Sequence, residues 1–76
     1  MTRLESKIHI ENKIQELRAL RGLTQVELAD QLQVTRATVI ALEKGSYNPS
    51  LELAFRISNF FQIPIENIFY IKGAKK

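Results

Sequence analysis

Apolar side chains through the middle of the chain recur at helical rather than strand spacing, in blocks separated by short polar breaks. Ile14, Leu17 and Leu20, with Arg18 among them, mark a first helix predicted from Asn12 or Lys13 to Arg21 and stopped by Gly22. Thr24 reads as an N-cap, and Glu27 three residues on completes a capping box. The helix it opens, over 25–32, presents Val26, Leu28, Ala29 and Leu32. Gln33 and Val34 link it to a helix over 36–44, capped by Thr35 and ended by Gly45. Asn48-Pro49 breaks the pattern, because a residue before proline avoids helical geometry. Ser50 caps a fourth helix over 51–61, and Pro64 opens a short fifth over roughly 65–68. The ends have a different period. Lys7 to Glu11 alternates polar and apolar, and Phe69-Tyr70-Ile71 is aromatic and β-branched, so two short strands from the termini are expected to pair antiparallel. The fold class predicted is mainly all-α, with a small two-stranded sheet.

With 76 residues the chain has room for one domain, and so small a core is marginal unless well packed or oligomeric. The division expected is an extension over 1–11, a helical domain over 12–69, and a strand end with a basic tail over 70–76. The absence of cysteine excludes disulfides and thiolate metal sites and suits a reducing compartment. No apolar run approaches the roughly 20 residues that span a bilayer, and residues 1–11 lack the apolar stretch of an export signal. A cytoplasmic protein that is not embedded in a membrane is expected. Eleven Lys/Arg against eight Asp/Glu leave a net charge of +3, too mild to identify a partner; where the basic residues sit matters more. His9 is the sole histidine and has no acidic cluster beside it. No glycine-rich phosphate loop, nucleophile–base pair or paired carboxylates occur at useful spacing. The expectation is a non-enzyme without cofactor, metal or evident small-molecule ligand.

The informative stretch runs from Thr24 to Gly45, a helix, a tight turn and a second helix. Ala29 is small where two helices would cross closely, Val34 plugs the turn, and Val39 and Leu42 point back to the core. Such packing holds the second helix out from the body, where it fits a groove about 12 Å wide. Three ordered strings make the pattern specific: Leu23-Thr24-Gln25-x-Glu27-Leu28-Ala29, Val34-Thr35-Arg36-x-Thr38-Val39, and Leu42-Glu43-Lys44-Gly45-x-Tyr47-Asn48-Pro49-Ser50-Leu51. Through them the segment from Lys13 to Phe69 resembles the Cro/lambda-repressor-like helix-turn-helix regulators, the xenobiotic-response-element family, in its compact single-domain branch. The resemblance implies a five-helix bundle that binds palindromic operators in double-stranded DNA as a homodimer. Repression is the default sign, since so short a chain shows no activation or ligand domain.

What the resemblance implies can be carried over residue by residue. Arg36, Ala37, Ile40 and Ala41 fall at the family's base-facing positions. Arg36 suits guanine, and the three apolar side chains suit thymine methyl groups. Ile40 has a competing assignment to the core, but Val39 and Leu42 already supply the inward face. Gln25, Thr35, Thr38, Lys44, Ser46, Tyr47 and Asn48 fall where the family meets the sugar–phosphate backbone. Asn48 serves equally well as a turn former. Arg18 and Glu43 match a structural ion pair between the first and third helices. Gln33 departs from the pattern, which usually has glycine at this positive-φ position, so some strain is expected there.

The fourth helix is apolar on more than one face, so part of its surface should meet a partner subunit. An interface built from Phe60, Phe61, Ile63 and Ile65, with Tyr70, is expected. Two alternatives use the same fold: an antitoxin or immunity-type protein that sequesters another protein, and an interaction module without DNA binding. An acidic residue at position 36, 40 or 41 would favour the latter; Arg36 and Ile40 suit a groove.

Overall fold

The computed structural model describes residues 8–73. The elements follow in the order β1 (Ile10–Asn12), α1 (Ile14–Leu20), α2 (Gln25–Leu32), α3 (Arg36–Lys44), α4 (Leu51–Phe61), a single 3-10 turn (Ile65–Asn67) and β2 (Phe69–Ile71). Helices α2, α3 and α4 begin and end where the caps and breakers place them. The Thr24 hydroxyl accepts from the Glu27 N–H at 3.0 Å while the Glu27 carboxylate accepts from the Thr24 N–H at 2.8 Å, a closed capping box. Thr35 and Ser50 accept in the same way from the N–H groups of Thr38 and Leu53. Each cap satisfies a donor that a helix N-terminus would otherwise leave unpaired.

Four α-helices are present among the described residues rather than five. Pro64 does open a helical turn, but only three residues follow before the chain must straighten into β2. One turn of such length closes with i to i+3 bonds, from Asn67 N–H to Pro64 O and from Ile68 N–H to Ile65 O. Helix α1 starts at Ile14, later than expected, because Asn12 is taken by the sheet and its Oδ1 accepts from the Ile14 N–H at 3.0 Å. The N-terminal strand is shifted correspondingly, from the expected 7–11 to 10–12, and Lys7 lies outside the described residues. The strands are antiparallel in the register Ile10 to Ile71, Glu11 to Tyr70 and Asn12 to Phe69. Of the expected basic tail, positions 74–76 lie outside the described residues.

The core gathers one stripe from each helix: Ile14, Leu28, Ala29, Leu32, Val39, Leu42, Leu53, Ile57 and Phe61, closed by Ile68. Fully burying side chains of this size contributes about 1.5–3 kcal/mol each. Phe61, expected at a subunit interface, belongs to this core and is only 2% exposed, so it has no surface to offer a partner. The reason is spacing: Leu53, Ile57 and Phe61 recur every four residues on the inward face of α4. Phe60 lies edge-on to Phe61, half-buried, with the Arg21 guanidinium over both rings. Leu20 and Val26, placed among the apolar stripes by periodicity, are exposed instead. Leu20 ends α1 beyond the last turn that touches the core, and Val26 sits in the solvent-facing first turn of α2.

Two features carry measurable energy. The Arg18 and Glu43 side chains, 15% and 5% exposed, meet as an ion pair with Nε–Oε2 at 2.5 Å and a second bond from Nη2 to Oε1 at 3.3 Å. Arg18 also donates from Nη1 to the Leu23 carbonyl at 2.8 Å, so each of its three guanidinium nitrogens has a partner within the fold. Gln33 ends α2 in the left-handed region at φ 60°, as does Gln62 at the end of α4. Glu43→Ala is expected to destabilise the chain by about 3–5 kcal/mol, since it strands a buried guanidinium. Gln33→Gly is expected to stabilise it by about 0.5–1 kcal/mol by relieving left-handed strain at an exposed position. Urea unfolding followed by circular dichroism checks both signs.

Candidate nucleic-acid interface

The helix-turn-helix is built on α2 and α3. Gln33 in its left-handed conformation turns the chain, and Val34 donates its N–H back to Ala29 O at 3.0 Å. Val39 and Leu42 are wholly buried and fix which side of α3 faces inward. Successive residues lie about 100° apart around a helix, so Ala37 and Lys44 stand opposite those two, with Arg36, Ile40 and Ala41 flanking them. Arg36, Ala37 and Lys44 are exposed; Ile40 and Ala41 are half-buried, so they are neither core nor fully free. Glu43 falls on the same helix at the margin of the core, where Arg18 holds it.

The turn and cap residues sit around that face. Thr35 is exposed at the start of α3, and its hydroxyl lies 3.0 Å from that of Thr38. Beyond Gly45, whose φ of 76° lets α3 end in a left-handed cap, Ser46 donates from Oγ to Ala41 O at 3.3 Å. Tyr47 and Asn48 are exposed in the following loop, and Asn48 borders an apolar hollow beside α4. At the other end, Gln25 opens α2 half-buried, and its Nε2 donates to Glu43 Oε1 at 3.1 Å. One carboxylate therefore orients both Arg18 and Gln25. The second amide hydrogen and the carbonyl oxygen of Gln25 remain for an outside partner.

Periodicity and motif matching left several contributors unseen. Asn12 donates from Nδ2 to the Leu42 carbonyl at 2.9 Å, tying the terminal sheet to the last turn of α3. A polar groove of about 250 Å³ runs between them, walled by His9, Glu11, Asn12, Lys44 and Lys72. Lys72 approaches Glu11 at 3.8 Å, and its N–H extends the sheet by donating to His9 O at 2.7 Å. Asn12 sits at a strand-to-helix junction, where a short amide is a common cap; that was the available signal. Lys72 left none, because its neighbours come from the opposite terminus.

The residues expected at an interface are not one surface. Phe61 is core, Phe60 and Ile63 are half-buried against it, Ile65 lines the hollow, and Tyr70 is 42% exposed on the sheet. The Tyr70 hydroxyl donates to Glu11 Oε1 at 3.4 Å, and desolvation, then the Glu11 charge, raise its pKa above the ordinary value. Among the described residues no group of three or more His, Asp or Glu side chains is placed to hold a metal ion, and no helix is long and apolar enough to cross a membrane.

Comparison with known proteins agrees with this geometry. The family described as helix-turn-helix matches residues 14–68, from the start of α1 to the residue after the 3-10 turn. An uncharacterised helix-turn-helix-type transcriptional regulator of Methanocaldococcus jannaschii is 55% identical over 60 residues, 79% of this chain and 91% of its own length. The transcriptional repressor RstR of the cryptic phage CTXphi, from Vibrio cholerae, is 37% identical over 57 residues, 75% of this chain and 51% of RstR. Among solved structures, the transcriptional regulator VanUg superposes with a TM-score of 0.74 at 21% identity, covering 93% of this chain and 95% of VanUg. The match spans most of the chain, and it coincides with the capped α2–turn–α3 unit and its outward face. The chain belongs to the helix-turn-helix family of transcriptional regulators.

Proposed function

We propose that this chain binds a palindromic operator in double-stranded DNA as a homodimer, with α3 in the major groove, and represses transcription by occupying the site in the cytoplasm. The observation that carries the reading is the polarity of α3. Val39 and Leu42 are fully buried while Ala37 and Lys44 stand exposed on the opposite side, with Arg36 exposed on its flank. No acid occurs at positions 36, 40 or 41, where one would repel the duplex. The repressor name of the relative RstR supports the sign of regulation.

Roles follow from chemistry and place. Arg36 reads guanine O6 and N7, and Ala37, Ile40 and Ala41 pack on thymine methyl groups. Gln25 grips a phosphate at the N-terminus of α2, with its amide pre-oriented by Glu43. Thr35, Thr38, Lys44, Ser46, Tyr47 and Asn48 follow the backbone on either side of the groove. Two-fold symmetry sets the recognition helices about 34 Å apart, one turn of DNA.

Selection of bound duplexes from a random pool is expected to return an inverted repeat with half-sites one turn apart; a unique non-repeated site, or none, overturns the reading. Arg36→Ala is expected to relax preference at one base pair by about 1–3 kcal/mol. Lys44→Ala instead weakens all sequences alike and flattens the salt dependence by about one phosphate contact. Titrations of both variants at several salt concentrations separate the two effects. A reporter driven from the selected site is expected to fall, not rise, on expression of the chain.

A further inference from the structure

The terminal sheet stands against the last turn of α3 and is fastened to it. Asn12 spans the joint, with Nδ2 donating to the Leu42 carbonyl at 2.9 Å and Oδ1 accepting from the Ile14 N–H at 3.0 Å. The polar groove of about 250 Å³ along that joint has Lys44 on its helix side and Lys72 with His9 on its sheet side. Two carboxylates also line it, and both are engaged. Glu43 is bonded to Arg18 and Gln25, while Glu11 accepts from the Tyr70 hydroxyl and lies 3.8 Å from Lys72. At that distance the lysine is held by charge alone, without a hydrogen bond, and its side chain is 67% exposed. Lys44 has no ion pair among the described residues. The groove therefore presents one unpaired ammonium group and a second that is only loosely held.

We propose that this sheet is a second DNA-binding element, whose groove takes the sugar–phosphate backbone flanking each half-site, with Lys44 and Lys72 on neighbouring phosphates. The proposal rests on the operator reading above and deepens it with a contact outside the helix-turn-helix unit. Both strands and Lys72 fall outside residues 14–68, the part that matches the family. Three observations point to a phosphate strand as the occupant. Glu43 both walls the groove and orients the Gln25 amide, so the groove prolongs the rim on which Gln25 and Lys44 meet the backbone. The sheet is also fixed in place. Lys72 N–H donates to His9 O at 2.7 Å and Lys13 N–H to Ile68 O at 2.9 Å, so Lys72 projects from bonded backbone. A cation presented in this way loses less freedom on binding. Finally, the donors suit phosphate better than base edges: each ammonium is a point charge with three N–H groups, and His9 adds a ring N–H. Such contacts hold the duplex without reading its sequence.

Glu11 opposes this contact. Its carboxylate competes with phosphate for Lys72, and an exposed pair this long contributes little to stability, so a duplex draws the ammonium away readily. The two members of one ion pair thus act on DNA binding with opposite signs.

Lys72→Ala and Glu11→Gln, each compared with the parent on the duplex obtained by selection, test the proposal. Lys72→Ala is expected to lower affinity for all duplexes alike by about 3–10-fold at low salt, and to reduce the salt slope by about one phosphate contact per chain. Glu11→Gln is expected to move both quantities the other way, since it frees the ammonium while its amide oxygen still accepts from Tyr70. A purely structural pair behaves differently: both substitutions loosen the sheet and weaken binding together. Ethylation of single phosphates locates the contact on the DNA. Modified phosphates just outside each half-site should impede the parent and cease to impede Lys72→Ala. The proposal is overturned by a Lys72→Ala chain that keeps the parent's salt slope and interference pattern, or by a Glu11→Gln chain that binds more weakly. The operator reading fails separately. A parent that binds no duplex removes that reading and this contact with it, whereas a parent whose slope ignores Lys72 removes only the contact.

Discussion

The Glu43 carboxylate holds three helices in one arrangement. It accepts two bonds from Arg18 on α1 and one from Gln25 on α2 while itself belonging to the last turn of α3. A carboxylate only 5% exposed would be costly alone. Here the paired guanidinium, which also donates to the Leu23 carbonyl, offsets the desolvation with charge-assisted bonds. What this interaction secures is geometry. A helix-turn-helix acts through the angle between its two helices, and apolar packing of Leu28, Ala29, Val39 and Leu42 alone has no direction about the helix axes. Directional bonds at the far end of α3 supply it.

The same economy appears at the helix ends. Three C-termini receive side chains from distant parts of the chain. Arg21 donates to the carbonyls of Phe60 and Phe61 at the end of α4, Arg56 to Leu32 O at the end of α2, and Asn12 to Leu42 O near the end of α3. The Phe60, Phe61 and Leu32 carbonyls lie where intrahelical donors run out, the Leu42 carbonyl also accepts from the Gly45 N–H at 3.0 Å, and two of the three partners bring a positive charge to the negative end of a helix dipole. These links also join elements far apart in sequence, so a core this small is braced from outside. Two of the chain's basic residues are thereby committed to structure, and the cations of the proposed DNA face are correspondingly few. That is why the mild excess of basic residues identified no partner.

The proposed function divides labour along α3. Its inner side and its Glu43 determine orientation; its outer side, with Arg36 foremost, is free to vary in what it reads.

Caps, breakers and helical period are written locally, so α2, α3 and α4 were legible residue by residue: Thr24 with Glu27, Thr35, Ser50, Gly45 and the Asn48-Pro49 break act on their immediate neighbours. The strained turn at Gln33 and the partnership of Arg18 with Glu43 were legible too, through the motif strings that mark the family. What sequence could not determine is what depends on contacts between remote segments. Periodicity identifies an apolar residue but not whether anything covers it, so Leu20 and Val26 ended in solvent while Phe61, expected outside, became core. The start of α1 at Ile14, the shift of β1 to Ile10–Asn12 and the collapse of the last helix to one turn all follow from the two termini meeting as a sheet. Local chemistry sets where helices form; only the packed chain decides which of their faces remain to meet another molecule, because burial is a property of what lies opposite.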